Sequence, residues 1–173
     1  MLWTIGHSTR PVAELIALLE GHGVMRLLDV RAVPRSRHNP QFNSDALALS
    51  LSQRGIAYAH RPELGGLRRA RRDSLNLGWK NEGFRGYADY MQTPEFGHAL
   101  TELMADAERE PCAIMCAEAS PWRCHRSLIA DALTVRGMEV RHIMAPGKAD
   151  LHKLTGFVHV EGTQLTYPFA LEG

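Results

Sequence analysis

Five short apolar runs frame the chain and limit what it can fold into. They lie at 2–6 (LWTIG), 24–30 (VMRLLDV), 56–60 (IAYAH), 112–117 (CAIMCA) and 139–144 (EVRHIM). Near-continuous apolar runs of this length suit strands buried on both faces, as in a parallel sheet. Between them the apolar residues change period. Val12, Leu15, Ile16 and Leu19 share one helix face, and so do Leu128, Ile129, Ala132 and Leu133. Strand alternating with helix predicts an α/β fold in three layers, with a mostly parallel sheet of about five strands. At 173 residues the chain is read as one domain, 1–173, large enough to bury its own core.

Local signals place the elements. Thr9 is in position to cap the first helix, with Pro11 in its first turn and Gly21 and Gly23 ending it. Ser44 is the expected cap of a second helix that stops at Gly55, and Thr93-Pro94 divides two further helices. The last helix is read from Cys124 to Gly137, and Glu161-Gly162 sits at the centre of a short C-terminal hairpin. Residues 61–83 form an Arg/Gly-rich loop insertion without periodicity. A stretch of that length inside a compact domain is either functional or partly mobile.

In open parallel sheets the ligand crevice lies beyond the carboxyl ends of the strands. Polar residues gather at those ends here. Gly6, His7 and Ser8 follow the first run; Asp29, Arg31, Arg35 and Arg37 end or follow the second; Tyr58 and His60 end the third, with Glu63 just beyond. Cys116 and Glu118 close the fourth, and Arg123, Cys124, His125 and Arg126 lead into the next helix. A parallel sheet brings all four clusters to one edge.

The chemistry at that edge admits several readings. Ser8, Arg31, Arg35, Arg37, Arg123 and Arg126 are the candidate anion-binding groups, aided by amides at the helix N-terminus. The alternative for Arg126 is a structural pairing with Glu118 or Asp29. Cys116 and Cys124 are the candidate nucleophiles, the latter favoured as a thiolate by helix dipole and neighbouring cations, with His7, His125 and Glu118 available for proton transfer. Buried cysteines are more often inert, and Cys112, inside its run, is read as core. Asp29, Tyr58, His60 and Glu63 are the candidate pocket residues. A phosphatase-type loop needs arginine six positions after its cysteine; Trp122 and Ala130 stand there instead. Seven residues separate Cys116 from Cys124, against about two to four in a paired zinc motif, so no metal site is assigned. TIGHST has too few glycines for a dinucleotide fingerprint, and no cofactor is expected; Gly6 is read as a tight-turn residue.

Net charge is +1, which gives no general argument for nucleic acid or membrane. The distribution is uneven. Residues 54–85 carry eight basic groups against three acids, and 86–110 carry six acids against Arg109 alone. Such a division suits either two surfaces that pair with each other or a polarised groove. No apolar run reaches the roughly 20 residues of a membrane span, and the N-terminus lacks the pattern of a secretory signal. Three cysteines make no disulfide framework, so the expected compartment is the cytoplasm and no membrane partner is expected.

With TIGHST, LLDVRAVPRSRHNPQFN, YAHRPELGG and CAEASPWRCHRSLIADAL in the same order along most of its length, the chain resembles the DUF488 family of bacterial and archaeal proteins. The resemblance implies a compact α/β domain. It also implies that His7, Ser8, Asp29, Arg31, Arg35, Tyr58, Leu64, Gly65, Cys116, Glu118, Cys124, His125 and Arg126 occupy the family's motif positions. It carries no reaction with it. The leading expectation is an enzyme or ligand-binding protein for a phosphate- or carboxylate-bearing small molecule. The second is a nucleic-acid-binding or nucleic-acid-processing protein, with the Arg-rich loop tracking phosphates and Tyr58, Trp79, Phe84 or Tyr87 stacking bases. The third is a non-catalytic interaction module. Nothing in the residues specifies the oligomeric state.

Overall fold

The computed structural model describes residues 1–169. Its centre is a six-stranded sheet in the order β3-β2-β4-β1-β5-β6. The first five strands, β1 (Leu2–Gly6), β2 (Arg26–Asp29), β3 (Ala57–His60), β4 (Cys112–Cys116) and β5 (Val140–Ala145), are parallel. β6 (Lys148–Leu151) runs antiparallel to β5 at one edge, and β7 (His159–Glu161) with β8 (Gln164–Thr166) forms the expected separate hairpin. The sequence reading missed β6. Its four residues are mostly exposed, as suits an edge strand, so it carries no apolar run to mark it.

Five helices cover the sheet: α1 (Val12–Gly21), α2 (Ser44–Ser52), α3 (Glu82–Tyr90), α4 (Pro94–Arg109) and α5 (Arg126–Val135). The pleat of β4 divides the interior in two. Ala113 and Met115 pack with Leu15, Leu19, Leu47 and Leu51 of α1 and α2. Cys112, Ile114 and Cys116 pack with Tyr87, Leu100, Leu103, Ile129 and Leu133 of α3, α4 and α5. This is the three-layer arrangement that strand–helix alternation predicts.

Some local readings are corrected. Thr9 does not cap α1, whose capping position is Pro11, without a side-chain bond. Ser44 is the first residue of α2, and its cap Asn43 turns its side chain to accept from the Ser36 amide. α5 begins at Arg126, because Pro121–Arg123 first form a 3-10 turn and leave Cys124 extended ahead of the helix. The two helices divide at Thr93-Pro94 as expected, and Thr93 caps α4 by accepting from Phe96 N.

The 61–83 insertion is tied down without periodic structure. The buried Asp89 carboxylate accepts from Arg71 N, Ser74 Oγ and Asn76 Nδ2 at 2.6–2.7 Å. Arg61 pairs with Asp106, one instance of the basic and acidic segments meeting each other. Arg68 lies 3.7 Å over the Tyr90 ring. Its carbonyl approaches Gly86 so closely that an added Cβ would sit 2.0 Å away.

Candidate functional site

The strand order switches between the parallel neighbours β1 and β4, and this positions the site. From β1 the chain passes through α1 on one face of the sheet; from β4 it passes through α5 on the other. Connections that diverge from neighbouring strands leave a crevice beyond their carboxyl ends. The two strands stay paired past their ends, His7 N donating to Cys116 O and Ser8 N to Ala117 O, both at 2.9 Å. Gly6 is needed for close approach. A Cβ there would lie 1.7 Å from Glu118 O and 2.7 Å from Arg126 NH1. Its backbone does not enter the left-handed region, so the tight-turn reading is replaced by packing.

Cys116 and Cys124 bring their sulphurs into contact, with Cα atoms 7.2 Å apart, wider than a relaxed disulfide spans. The 3-10 turn makes this possible, since it folds the intervening segment back until the two sulphurs face each other. Two of three cysteines therefore pair, which the cysteine count alone did not indicate. Cys112 is free and buried, as expected, and burial pushes its thiol up to about 11.

Each sulphur has its own polar neighbour. His125 donates from Nε2 to Val30 O at 2.8 Å, which leaves Nδ1 as the acceptor facing Cys124 Sγ at 3.5 Å. Burial, with the Arg126 charge adding to it, holds this imidazole neutral by pushing it down to about 4. Arg126 is fully buried. It donates to Glu118 O at 2.6 Å, Ala119 O at 2.9 Å and Cys116 Sγ at 2.9 Å. Its Nε has no partner among the described residues. Burial lowers it to about 10, against the longer-range attraction of the exposed Glu118 carboxylate. It makes no salt bridge to Glu118 or Asp29 among the described residues.

A cavity of about 430 Å³ opens above the sulphurs. Cys116, Cys124 and His125 line one side, and Arg31, Arg35, Glu118 and Arg123 lie around them. Arg31 is already engaged, its Nε and NH2 on the Asp29 carboxylate and NH2 also on Phe42 O. Among the described residues Arg35 and Arg123 have no carboxylate partner. These are the cations with charge to spare.

The other candidates separate from this cavity. His7 and Ser8 line an adjacent recess that shares Arg123 and residues 117–118 with it. His7 stacks on Phe42 and donates from Nδ1 to Ser8 O; burial lowers its pKa, so it is neutral. Asp29 and Tyr58 bond each other beneath Arg31, and His60 bonds Arg31 O at 2.7 Å. These three support the Arg31 loop and do not line the cavity. Glu63 and Arg37 line neither opening. Arg126 lies below the floor as a support for Cys116. Conversely, the cavity takes Gly66, Leu67 and Asn81 from the insertion, residues that no motif singled out, together with Phe84, which the nucleic-acid reading had named as a stacking group. Only the length of that aperiodic stretch pointed to the first three.

The fold and site define a single α/β domain with a paired-thiol centre at a sheet crossover. The chain belongs to the family described as domain of unknown function DUF488, whose model matches residues 11–133. The match takes in the Asp29–Arg31 loop and the whole cysteine turn, while β1 with Gly6, His7 and Ser8 precedes it. No similarity to a curated protein or to a solved structure is found. Among the described residues no helix is long and apolar enough to cross a membrane, and no cluster of His, Cys, Asp or Glu is arranged to hold a metal.

Proposed function

We propose that this chain is an enzyme acting on an anionic small molecule, phosphate- or carboxylate-bearing, held above Cys116 and Cys124. The observation that carries the reading is a pair of sulphurs on the floor of a cavity whose lining includes two arginines, Arg35 and Arg123, with uncommitted charge. Guanidinium groups bind planar anions through paired donors, and a ligand so held lies against the sulphurs. A cytoplasmic location fits, because a reducing compartment keeps such a pair available as thiols.

The nucleic-acid reading is less well supported. Tyr58 bonds Asp29 and Trp79 packs among Phe84, Phe157 and Tyr167, so these two are occupied by the protein, while Phe84 and the buried Tyr87 belong to the lining of the cavity itself. The interaction-module reading has no observation of its own in its favour.

The test is a thermal-shift screen at low salt with nucleotides, sugar phosphates, di- and tricarboxylates, and single- and double-stranded oligonucleotides. A ligand at about 100 times its Kd adds about 2.7 kcal/mol of stability. The expected result is a shift with a small anion that is lost in both Arg35→Ala and Arg123→Ala. Shifts with oligonucleotides alone would transfer the reading to nucleic acid.

A further inference from the structure

We infer that the cavity performs thiol–disulfide exchange on anionic low-molecular-weight disulfides, with Cys116 attacking and Cys124 resolving. The inference rests on the anion-binding reading of the same cavity and adds the bond that is broken.

The two cysteines are chemically unequal. A fully buried guanidinium without a carboxylate partner requires an anion beside it, because burying an isolated charge is costly. Arg126 gives NH1 and NH2 to two neutral carbonyls and leaves Nε without a partner among the described residues, and the remaining acceptor it meets is Cys116 Sγ, 2.9 Å from NH1. In the reduced protein this arrangement favours the thiolate of Cys116 over its thiol. Cys124 has no cation bonded to its sulphur. It faces the lone pair of a neutral imidazole, His125 Nδ1, and so remains a thiol whose proton has an acceptor. One sulphur is an attacking thiolate, the other a resolving thiol, and they are already in contact.

The steps balance. The Cys116 thiolate attacks one sulphur of R–S–S–R, forming a Cys116–S–S–R bond and expelling RS⁻, which takes a proton from solvent. Cys124 then attacks Cys116 Sγ. Its proton leaves along His125 Nδ1 to the second departing RS⁻, and the Cys116–Cys124 disulfide forms. The substrate gains two electrons and becomes two RSH, while the protein passes from dithiol to disulfide. A dithiol reductant in solution restores it. Arg35 and Arg123 select disulfides whose R groups carry carboxylates.

The experiment uses reduced full-length protein with oxidised glutathione as the anionic probe and cystamine as the cationic one. Thiol release and intact mass are recorded together. Wild type is expected to release two thiols per molecule and to keep no adduct. Cys124→Ser is expected to stop after one thiol and retain a glutathione adduct on Cys116; Cys116→Ser is expected to release none. Arg123→Ala is expected to slow oxidised glutathione about tenfold and not to slow cystamine, whose repulsion by the guanidinium is relieved. On wild type, iodoacetamide at pH 6 should label Cys116 far faster than Cys112 and Cys124, a readout that needs no variant to fold. Binding of oxidised glutathione without thiol release, or labelling of all three cysteines at one slow rate, would overturn the exchange and leave the anion site standing. Equal rates with both probes, unaffected by Arg123→Ala, would retain the exchange and remove the anion reading.

Discussion

Two polar clusters flank the same segment, residues 117–127, and they are built on opposite plans. On one side lies the thiol corner. On the other, Thr4, His142, His152, Asp131, Thr155 and Tyr167 form a chain of bonds at 2.6–2.8 Å between side chains, beside a cavity of about 790 Å³. In that chain a single set of proton positions satisfies every ring nitrogen. Asp131 accepts only, so His152 donates from Nε2; its Nδ1 accepts from His142 Nε2, and His142 Nδ1 accepts from Thr4. Within that chain of bonds no donor or acceptor is left over, and the group at that cavity without a partner among the described residues, Trp79 Nε1, lies outside it. The thiol corner is incomplete by comparison, with Arg126 Nε unpartnered, a guanidinium facing sulphur, and two sulphurs open to a cavity. Satisfied networks hold a fold together; unsatisfied groups beside an opening are where chemistry is expected.

The largest effect that would test the contrast is at Asp131. Its carboxylate is fully buried and accepts from His152 Nε2, Thr155 N, Thr155 Oγ1 and Tyr167 OH. Asp131→Ala orphans all of these donors and is expected to cost about 3–5 kcal/mol, a fall in Tm of roughly 10 °C or more. Iodoacetamide labelling of Cys116 in the folded variant should match wild type. A small loss of stability with a large loss of thiol reactivity would join the two clusters into one site.

Acid should act on both clusters in the same direction. Burial lowers His125 to about 4 and His142 to about 3, against about 6.5 in an unfolded chain. Between those values the unfolded state binds protons that the folded state does not, so stability rises with pH. It is fully present above about pH 6.5 and is lost as pH falls towards 4 and 3. Each group contributes about 1.4 kcal/mol per pH unit inside its window. Chemical denaturation should therefore show a slope that is shallow at pH 7 and approaches two protons near pH 5, with the lowered His7 adding to it. His142→Asn should reduce the slope by one proton and leave Cys124 labelling alone; His125→Asn should reduce it equally and alter that labelling.

Gly6→Ala addresses the thiol corner through its backbone. The added methyl would meet the Glu118 carbonyl, a group with no side chain to swing aside. Overpacking of this kind costs about 1–3 kcal/mol. The more informative readout is local. Moving Glu118 O removes one anchor of Arg126, and the pH 6 labelling of Cys116 should slow while that of Cys112 does not change.

What could be read from residues alone follows the range of the forces involved. Each strand and the helix after it are local patterns, so the sheet, its direction and the gathering of Cys116, Cys124, His125 and Arg35 at one edge were legible. The contacts that assign roles are not local. Thr4 meets His142 across 138 positions, and Tyr167 meets Asp131 across 36. Arg126 reads in sequence as an anion-binding group or the partner of a carboxylate, and it is among the largest fully buried side chains of the described residues, bonded to carbonyls and a sulphur. The pairing of Cys116 with Cys124 depends on a proline-started 3-10 turn, Pro121–Arg123, in a segment the residue pattern reads only as a polar turn ahead of a helix at Cys124.

The smallest predicted effect falls on residues that the pattern singled out and the fold passes over. Arg37 is exposed, lines neither opening and has no carboxylate partner among the described residues. Glu63 contributes its carbonyl to Tyr90 OH, a bond that any residue at 63 would make. Arg37→Ala and Glu63→Gln are therefore expected to change stability by no more than about 0.5 kcal/mol, as for surface sites without special contacts. Neither should alter an anion-dependent shift in Tm, whereas Arg35→Ala, two positions away from Arg37 and on the cavity lining, should abolish it. Alternate residues of one loop would then differ in binding although both carry the same charge. If Arg37→Ala weakens the shift as much as Arg35→Ala, the anion is held by the field of the whole loop, and placement in the cavity no longer explains it.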